Sequence, residues 1–163
     1  MSEIIELKNK NEQIKLKKKM EELAAKYFQE GYNCCQSVLL ATNDVWKLEM
    51  DPMLISAGKF FQHGMSSGST CGALVGAQMA LGILNERYGT KLKNKTANTL
   101  FNEFVGAQGS TVCKELRKKQ SLTEKIGYKG CKMITLTTAG ILYEFWENIH
   151  GKEKDLGNYS NLK

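Results

Sequence analysis

Residues 71–89 read CGALVGAQMALGILNERYG, and this stretch decides the fold class. Its apolar residues show none of the strict alternation of a half-buried strand, and Gly89 is a natural stop for a helix ending at Tyr88. The spacing predicts a helix over Cys71–Tyr88. Gly72, Gly76 and Ala80 form one row of small residues and Ala73 and Ala77 another, so a second backbone can approach closely. That backbone can belong to the same chain or to a second subunit, which leaves a homodimer open. The nearly apolar run Gly72–Leu84, broken by Gln78, is 13 residues long, short of the roughly 20 that a membrane span requires.

Outward from this helix the same period recurs. Leu16, Met20, Leu23 and Tyr27 step by helical intervals along a long helix over residues 3–30, with Gly31 at its C-terminal side. Asn33 is a good N-cap for a helix over Cys34–Leu48, where Val38, Ala41 and Val45 continue one face. Asp51-Pro52 opens a third helix carrying Leu54, Ala57 and Phe61. His63–Thr70 is a Gly/Ser-rich loop. Lys93–Gln108 is a helix closed by Gly109, Ser110-Thr111 opens a short one carrying Cys113, and residues 120–128 are a polar connection. Gly130-Cys131 opens the last helix, with Ile134, Thr137, Ile141, Phe145 and Ile149 on one stripe and Gly151 as its end.

The expected fold is therefore all-α: a compact single-domain array of about six to seven helices with a long N-terminal helix. Its expected organisation is a basic helical extension over residues 1–20, a cysteine-containing helical domain over 21–151 and a loose C-terminal tail over 152–163. The 163 residues, 42% of them apolar, suffice for one core and exclude wholesale disorder, while a single proline and 15 glycines exclude collagen-like and low-complexity chains. The start, MSEIIELKNKNEQ, has no apolar signal region, so the expected compartment is the cytoplasm.

The net charge is +6, of which residues 1–20 hold +3; the remainder reads as spread over the other 143 residues. Without a helix-turn-helix, zinc-finger or RNA-recognition pattern this gives no nucleic-acid reading. The Lys15, Lys17, Lys18 and Lys19 cluster is either a wet helix face or a dock for an acidic redox partner.

Four of the five cysteines share a context. Cys34 follows Asn33, Cys71 follows Ser69-Thr70, Cys113 lies just after Ser110-Thr111, and Cys131 follows Gly130. Each falls in the first turn of an expected helix, where free N–H groups and the helix dipole favour a thiolate. In a reducing compartment such cysteines point to ligands or redox groups rather than structural disulfides. The spacings of 37, 42 and 18 residues match no C-x-x-C, c-type haem or ferredoxin pattern. Any shared site must be assembled by the fold. Cys35, adjacent to Cys34 and about 100° around the helix, reads as a plain buried residue.

Glu30-Gly31-Tyr32-Asn33-Cys34-Cys35-Gln36-Ser37-Val38-Leu39, Gly68-Ser69-Thr70-Cys71-Gly72-Ala73-Leu74-Val75-Gly76-Ala77, Gly109-Ser110-Thr111-Val112-Cys113-Lys114-Glu115-Leu116 and Gly130-Cys131 together resemble, in order, the motifs of the C_GCAxxG_C_C family of redox-active proteins. The resemblance spans about residues 20–150; residues 1–20 are an addition, and Thr70–Gly76 fits the family's central motif only loosely. It implies roles for Cys34, Cys71, Cys113 and Cys131. A related helical domain accompanies the split-Soret cytochromes, where iron–sulfur binding has been assigned.

The resulting expectation is an iron–sulfur protein, [2Fe–2S] or [4Fe–4S], with Cys34, Cys71, Cys113 and Cys131 as cluster and metal ligands. It favours an electron carrier or redox accessory with an unknown partner protein over a catalyst. The alternatives are a metal-free thiol–disulfide protein, a Cys₄ zinc site, and a helical binding or scaffold module whose cysteines only pack. His63 reads as a solvated loop residue, His150 as a helix C-terminal residue favoured by the dipole, and Tyr32 as a wall beside Cys34. Trp46, Trp146, Met50, Met53, Met65 and Met79 read as core.

Overall fold

The structure is a computed structural model; it describes the backbone of residues 2–160 and the side chains of residues 9–151. Its elements are α1 (Ser2–Gln29), α2 (Cys34–Trp46), α3 (Pro52–Ala57), α4 (Gly72–Arg87), α5 (Asn94–Gln108), α6 (Cys113–Lys118), α7 (Leu122–Lys125) and α8 (Lys129–Ser160). Single turns over Lys59–Phe61, Gly64–Gly68 and Ile126–Tyr128 join them. Among the described residues there is no strand, only one isolated antiparallel bridge between Thr70 and Val112. The all-α expectation is met, long first helix included.

The helix ends follow their local chemistry. Gly31 stands at φ +100° after α1, and Gly109 at φ +79° closes α5, conformations that an L side chain rarely adopts. Asp51 accepts from Met53 N–H at 2.7 Å with Pro52 in the first turn of α3. α1, α2, α4 and α8 enclose the core around Trp146, Met20, Leu39, Leu84 and Leu142, and Leu100 and Phe104 of α5 join it. The small-residue row of α4 is used inside the chain: a Cβ at Gly76 would lie 2.6 Å from Cys35 O on α2.

Several expectations are corrected. α8 runs through Gly151, which is absent from the left-handed glycines; a glycine inside a helix costs only about 1 kcal/mol. His150 is thus inside α8, its ring stacked on Trp146 at 5.3 Å. The buried face of α8 is centred on Thr135, Thr138, Leu142 and Trp146. Of the expected stripe only Phe145 is fully buried, and the rest flank that face. The threonines bury without penalty because their hydroxyls donate back to Cys131 O and Ile134 O, each at 2.7 Å. Met53 and Met65 are exposed rather than core. The connection over 120–128 contains α7 and a further turn.

No described helix is long and apolar enough to cross a membrane.

Candidate functional site

Each of the four singled-out cysteines does stand at a helix start. Cys34 and Cys113 are the first residues of α2 and α6, Cys71 is the N-cap of α4, and Cys131 is the third residue of α8.

Cys34 is fixed by its neighbours. The Asn33 side chain accepts from Gln36 N–H at 3.0 Å, and Gln36 Oε1 accepts from Asn33 N–H at 3.4 Å, a reciprocal cap. Asn33 Nδ2 also donates to Gly58 O at 3.0 Å and Lys59 O at 2.8 Å, and Gln36 Nε2 donates to Ile55 O at 3.3 Å. The start of α2 is thereby pinned to α3 and the turn after it. Gly72 keeps Cys34 close to α4: a Cβ there would meet Cys34 Sγ and Phe61 O, each at 2.6 Å.

Cys71 and Cys113, 42 residues apart, meet through the Thr70–Val112 bridge, which turns the Gly/Ser loop onto the segment before α6. Gly64, at φ +60°, sits beneath this junction. Cys131 completes the ring from the start of α8, with Gln120 Nε2 3.9 Å from its sulfur.

Cys34, Cys71, Cys113 and Cys131 all line one cavity of about 170 Å³. Phe28, Tyr32, Leu116, Ile134, Gln62, His63, Arg117 and Tyr128 share its wall. Cys35 is not among them: it is fully buried, with its sulfur 3.9 Å from Met79 Sδ. The plain-core reading of Cys35 therefore stands. Tyr32 does wall the cavity, packing edge-on against Tyr27 at 5.9 Å.

The electrostatic expectation is overturned. Burial pushes the Cys34 thiol far above its ordinary range and the Cys71 thiol up to about 11, each helped by the charge of the neighbouring cysteines. The backbone N–H groups of Ala73 and Leu74 oppose the shift at Cys71, so the helix start acts as expected but is outweighed by desolvation. Cys113 is raised by burial and by Cys131, with Arg117 acting against them. Burial therefore favours the protonated thiol at Cys34, Cys71 and Cys113.

Sequence reasoning missed one wall. His63 is half-buried rather than a solvated loop residue, its ring 5.3 Å from that of Tyr128, and the Arg117 guanidinium lies 5.9 Å over the same Tyr128 ring. His63 and Tyr128 both adopt left-handed backbone, at φ +53° and +56°. Burial, then Arg117, lowers the His63 pKa and favours its neutral form. No spacing or motif marked Arg117 or Tyr128 in advance.

Among the described residues no three His, Cys, Asp or Glu side chains group closely enough to hold a single metal ion. The four cysteines share a cavity without closing on one point.

A family model described as "Putative redox-active protein (C_GCAxxG_C_C)" matches residues 32–145, well over half of the chain. The chain belongs to the C_GCAxxG_C_C family. The match takes in all four cavity cysteines and the Asn33 cap, and it excludes all of α1 and the end of α8. The C_GCAxxG_C_C assignment thus covers the whole cysteine cavity apart from Phe28 and Gly31 on its α1 side. Neither a curated protein nor a solved structure matches the chain.

Proposed function

We propose that the cavity holds an iron–sulfur cluster through Cys34, Cys71, Cys113 and Cys131, and that the protein carries electrons. The observation that carries this reading is the convergence of four cysteines, from four separate helix starts, on one cavity. The donor set fits the group: thiolates are the soft ligands that iron–sulfur clusters take. The space fits as well. One water needs about 10–15 Å³ by the same measure, so about 170 Å³ leaves room for a group of several atoms. A Cys₄ zinc site would draw its sulfurs to about 3.8 Å from one another around one ion. The described residues show no such grouping.

When bound, the cluster supplies one-electron redox chemistry. The chain's own residues do the rest. The Asn33 cap and the Thr70–Val112 bridge hold Cys34, Cys71 and Cys113 in place. Phe28, Tyr32, Leu116 and Ile134 exclude water, and Arg117 adds positive charge at the wall. Protonated thiols must give up their protons to bind metal, so loading releases protons to solvent.

Two other readings lose ground. A thiol–disulfide exchanger needs a thiolate at neutral pH, which the raised Cys71 and Cys113 thiols disfavour. Cysteines serving only as packing would be covered by neighbours like Cys35, not aligned along a cavity.

The test is anaerobic purification and reconstitution, with iron, acid-labile sulfide and zinc quantified per chain. Stoichiometric iron and sulfide with charge-transfer absorption, lost in Cys34→Ser and Cys131→Ser, is the expected result. Zinc without sulfide, or full iron loading in both variants, would overturn it.

A further inference from the structure

The chain's charge is not spread evenly. Residues 113–132 contain Lys114, Arg117, Lys118, Lys119, Lys125, Lys129 and Lys132 against only Glu115 and Glu124, a net of +5 in a chain whose total is +6. This segment is α6, α7 and the start of α8, and it carries two of the four cavity cysteines, Cys113 and Cys131. Outside residues 1–20 and this segment the chain is slightly acidic.

These cations have no ion-pair partner among the described residues. Among the described residues the ion pairs are Lys17 with Glu21 and Glu144, Lys18 with Glu22, and Lys26 with Glu30, so they engage the N-terminal helix and not this segment. Both acids of the segment are instead occupied internally. Glu115 accepts from Ser110 Oγ, and Glu124 accepts from Ser121 N–H at 2.7 Å and Ser121 Oγ at 2.8 Å. All the cations but the half-buried Lys132 are exposed.

Apolar side chains stand among them. Leu122 is 80% exposed and Ile126 68% exposed, with Tyr128 and Met133 also on the surface. Exposed apolar residues ringed by unpaired like charges are the anatomy of a transient interface: the charges steer the encounter and the apolar centre holds it. On the α6 side of this segment an open cleft of about 360 Å³, lined by Lys114 and Arg117, shares His63, Cys113 and Arg117 with the inner cavity.

We infer that the face formed by residues 113–132 docks an acidic protein surface, with Leu122 and Ile126 at the contact centre and Lys114, Arg117, Lys118, Lys119 and Lys125 around them. That the acidic protein is an electron-exchange partner rests on the redox reading above; the charge complementarity does not. In the Lys15–Lys19 cluster, by contrast, Lys17 and Lys18 are paired within the chain.

The test measures association of the full-length protein, as purified, with a flavodoxin as acidic probe and with cytochrome c as basic probe, at low and high salt. The expected result is salt-sensitive binding of flavodoxin alone. Charge reversal in Lys118→Glu/Lys119→Glu/Lys125→Glu should weaken it about tenfold or more, and the neutral Leu122→Ser should weaken it with little change in salt dependence. Lys15→Glu/Lys18→Glu/Lys19→Glu should leave it within about twofold. Equal binding of both probes, no binding of either, a matching loss in the N-terminal variant, or capture only by phosphatidylserine vesicles or RNA would overturn the inference. Because association is read without electron transfer, a chain that docks flavodoxin but takes up no iron overturns the cluster and leaves this face standing. An iron-loaded chain indifferent to the probes does the reverse.

Discussion

Cys71 and Cys113 are joined by the backbones that carry them: Cys71 N–H donates to Thr111 O at 2.8 Å, and Cys113 N–H donates to Ser69 O at 2.6 Å. Gly64 makes room for this junction. A Cβ there would lie 2.7 Å from both Ser69 N and Ser69 O and 2.9 Å from Cys113 Cβ, on a backbone at φ +60°. Gly64→Ala should cost about 2–4 kcal/mol, combining overpacking against backbone with left-handed strain, and should lower iron retention. Gly82, in α4 with nothing near its Cβ position, is the control: Gly82→Ala should gain about 0.5–1 kcal/mol. Thermal denaturation of the two variants side by side checks this, and an unshifted midpoint for Gly64→Ala would refute the role given to the junction.

Asn33 makes a sharper case because its two side-chain atoms do different work. Its oxygen caps α2, while its nitrogen donates to Gly58 O and Lys59 O. Asn33→Ala loses both and should cost about 2–4 kcal/mol from a lost cap and two lost hydrogen bonds, Gly58 O keeping only the one from Phe61 N–H at 3.3 Å. Asn33→Asp keeps the cap but sets a carboxylate oxygen against those carbonyls, so it should be no better than alanine. At an ordinary N-cap aspartate equals asparagine. Urea midpoints separate the outcomes: an Asp variant near wild type would mean that the nitrogen's bonds contribute little.

The four helix starts were legible because each cysteine follows residues such as Asn33, Thr70, Thr111 or Gly130 that begin helices. Their meeting was not. It depends on the Thr70–Val112 bridge and on left-handed backbone at His63, Met65, Ser66 and Tyr128, none of them a glycine that would announce the turn. The buried face of α8 was misread for a related reason: Thr135 and Thr138 count as polar until their hydroxyls are seen bonded to their own helix. The basic face was present in the sequence but lost by averaging, since a net of +5 over residues 113–132 vanishes when spread over 143 residues.

The raised thiols carry a pH signature in the metal-free protein. Cys71 stands at about 11 and Cys35 at about 12 against an ordinary 9.0, chiefly through burial. Above pH 9 the unfolded chain therefore releases protons that the folded chain retains, and stability falls as pH rises. The contribution is fully present below about pH 9 and is lost as pH climbs towards about 11 at Cys71 and about 12 at Cys35. Tyr27, through its hydrogen bond to Asp44, and Tyr143, through burial, also rise to about 12 from 10.0. The window between about pH 8 and 9 thus reports chiefly on the thiols, because tyrosines with an ordinary value near 10 remain protonated there. Urea midpoints should begin to decline across it, less steeply in Cys35→Ala. A flat profile would mean that the folded thiols ionise as readily as free ones.

Cys34 and Cys35 are adjacent in sequence and should respond in opposite ways. Cys35 touches Met79 and Gly58 in the core, so Cys35→Ala removes packed atoms and should cost about 1–2 kcal/mol with iron content unchanged. Cys34 lines the cavity with Cys71, Cys113 and Cys131. Cys34→Ala should lower iron content sharply while costing the metal-free protein less than Cys35→Ala does. Iron per chain and urea midpoints on the two variants check this together. If Cys35→Ala instead lost the iron, the ligand set would have to include the core-facing sulfur, and the cavity would not be where the metal binds.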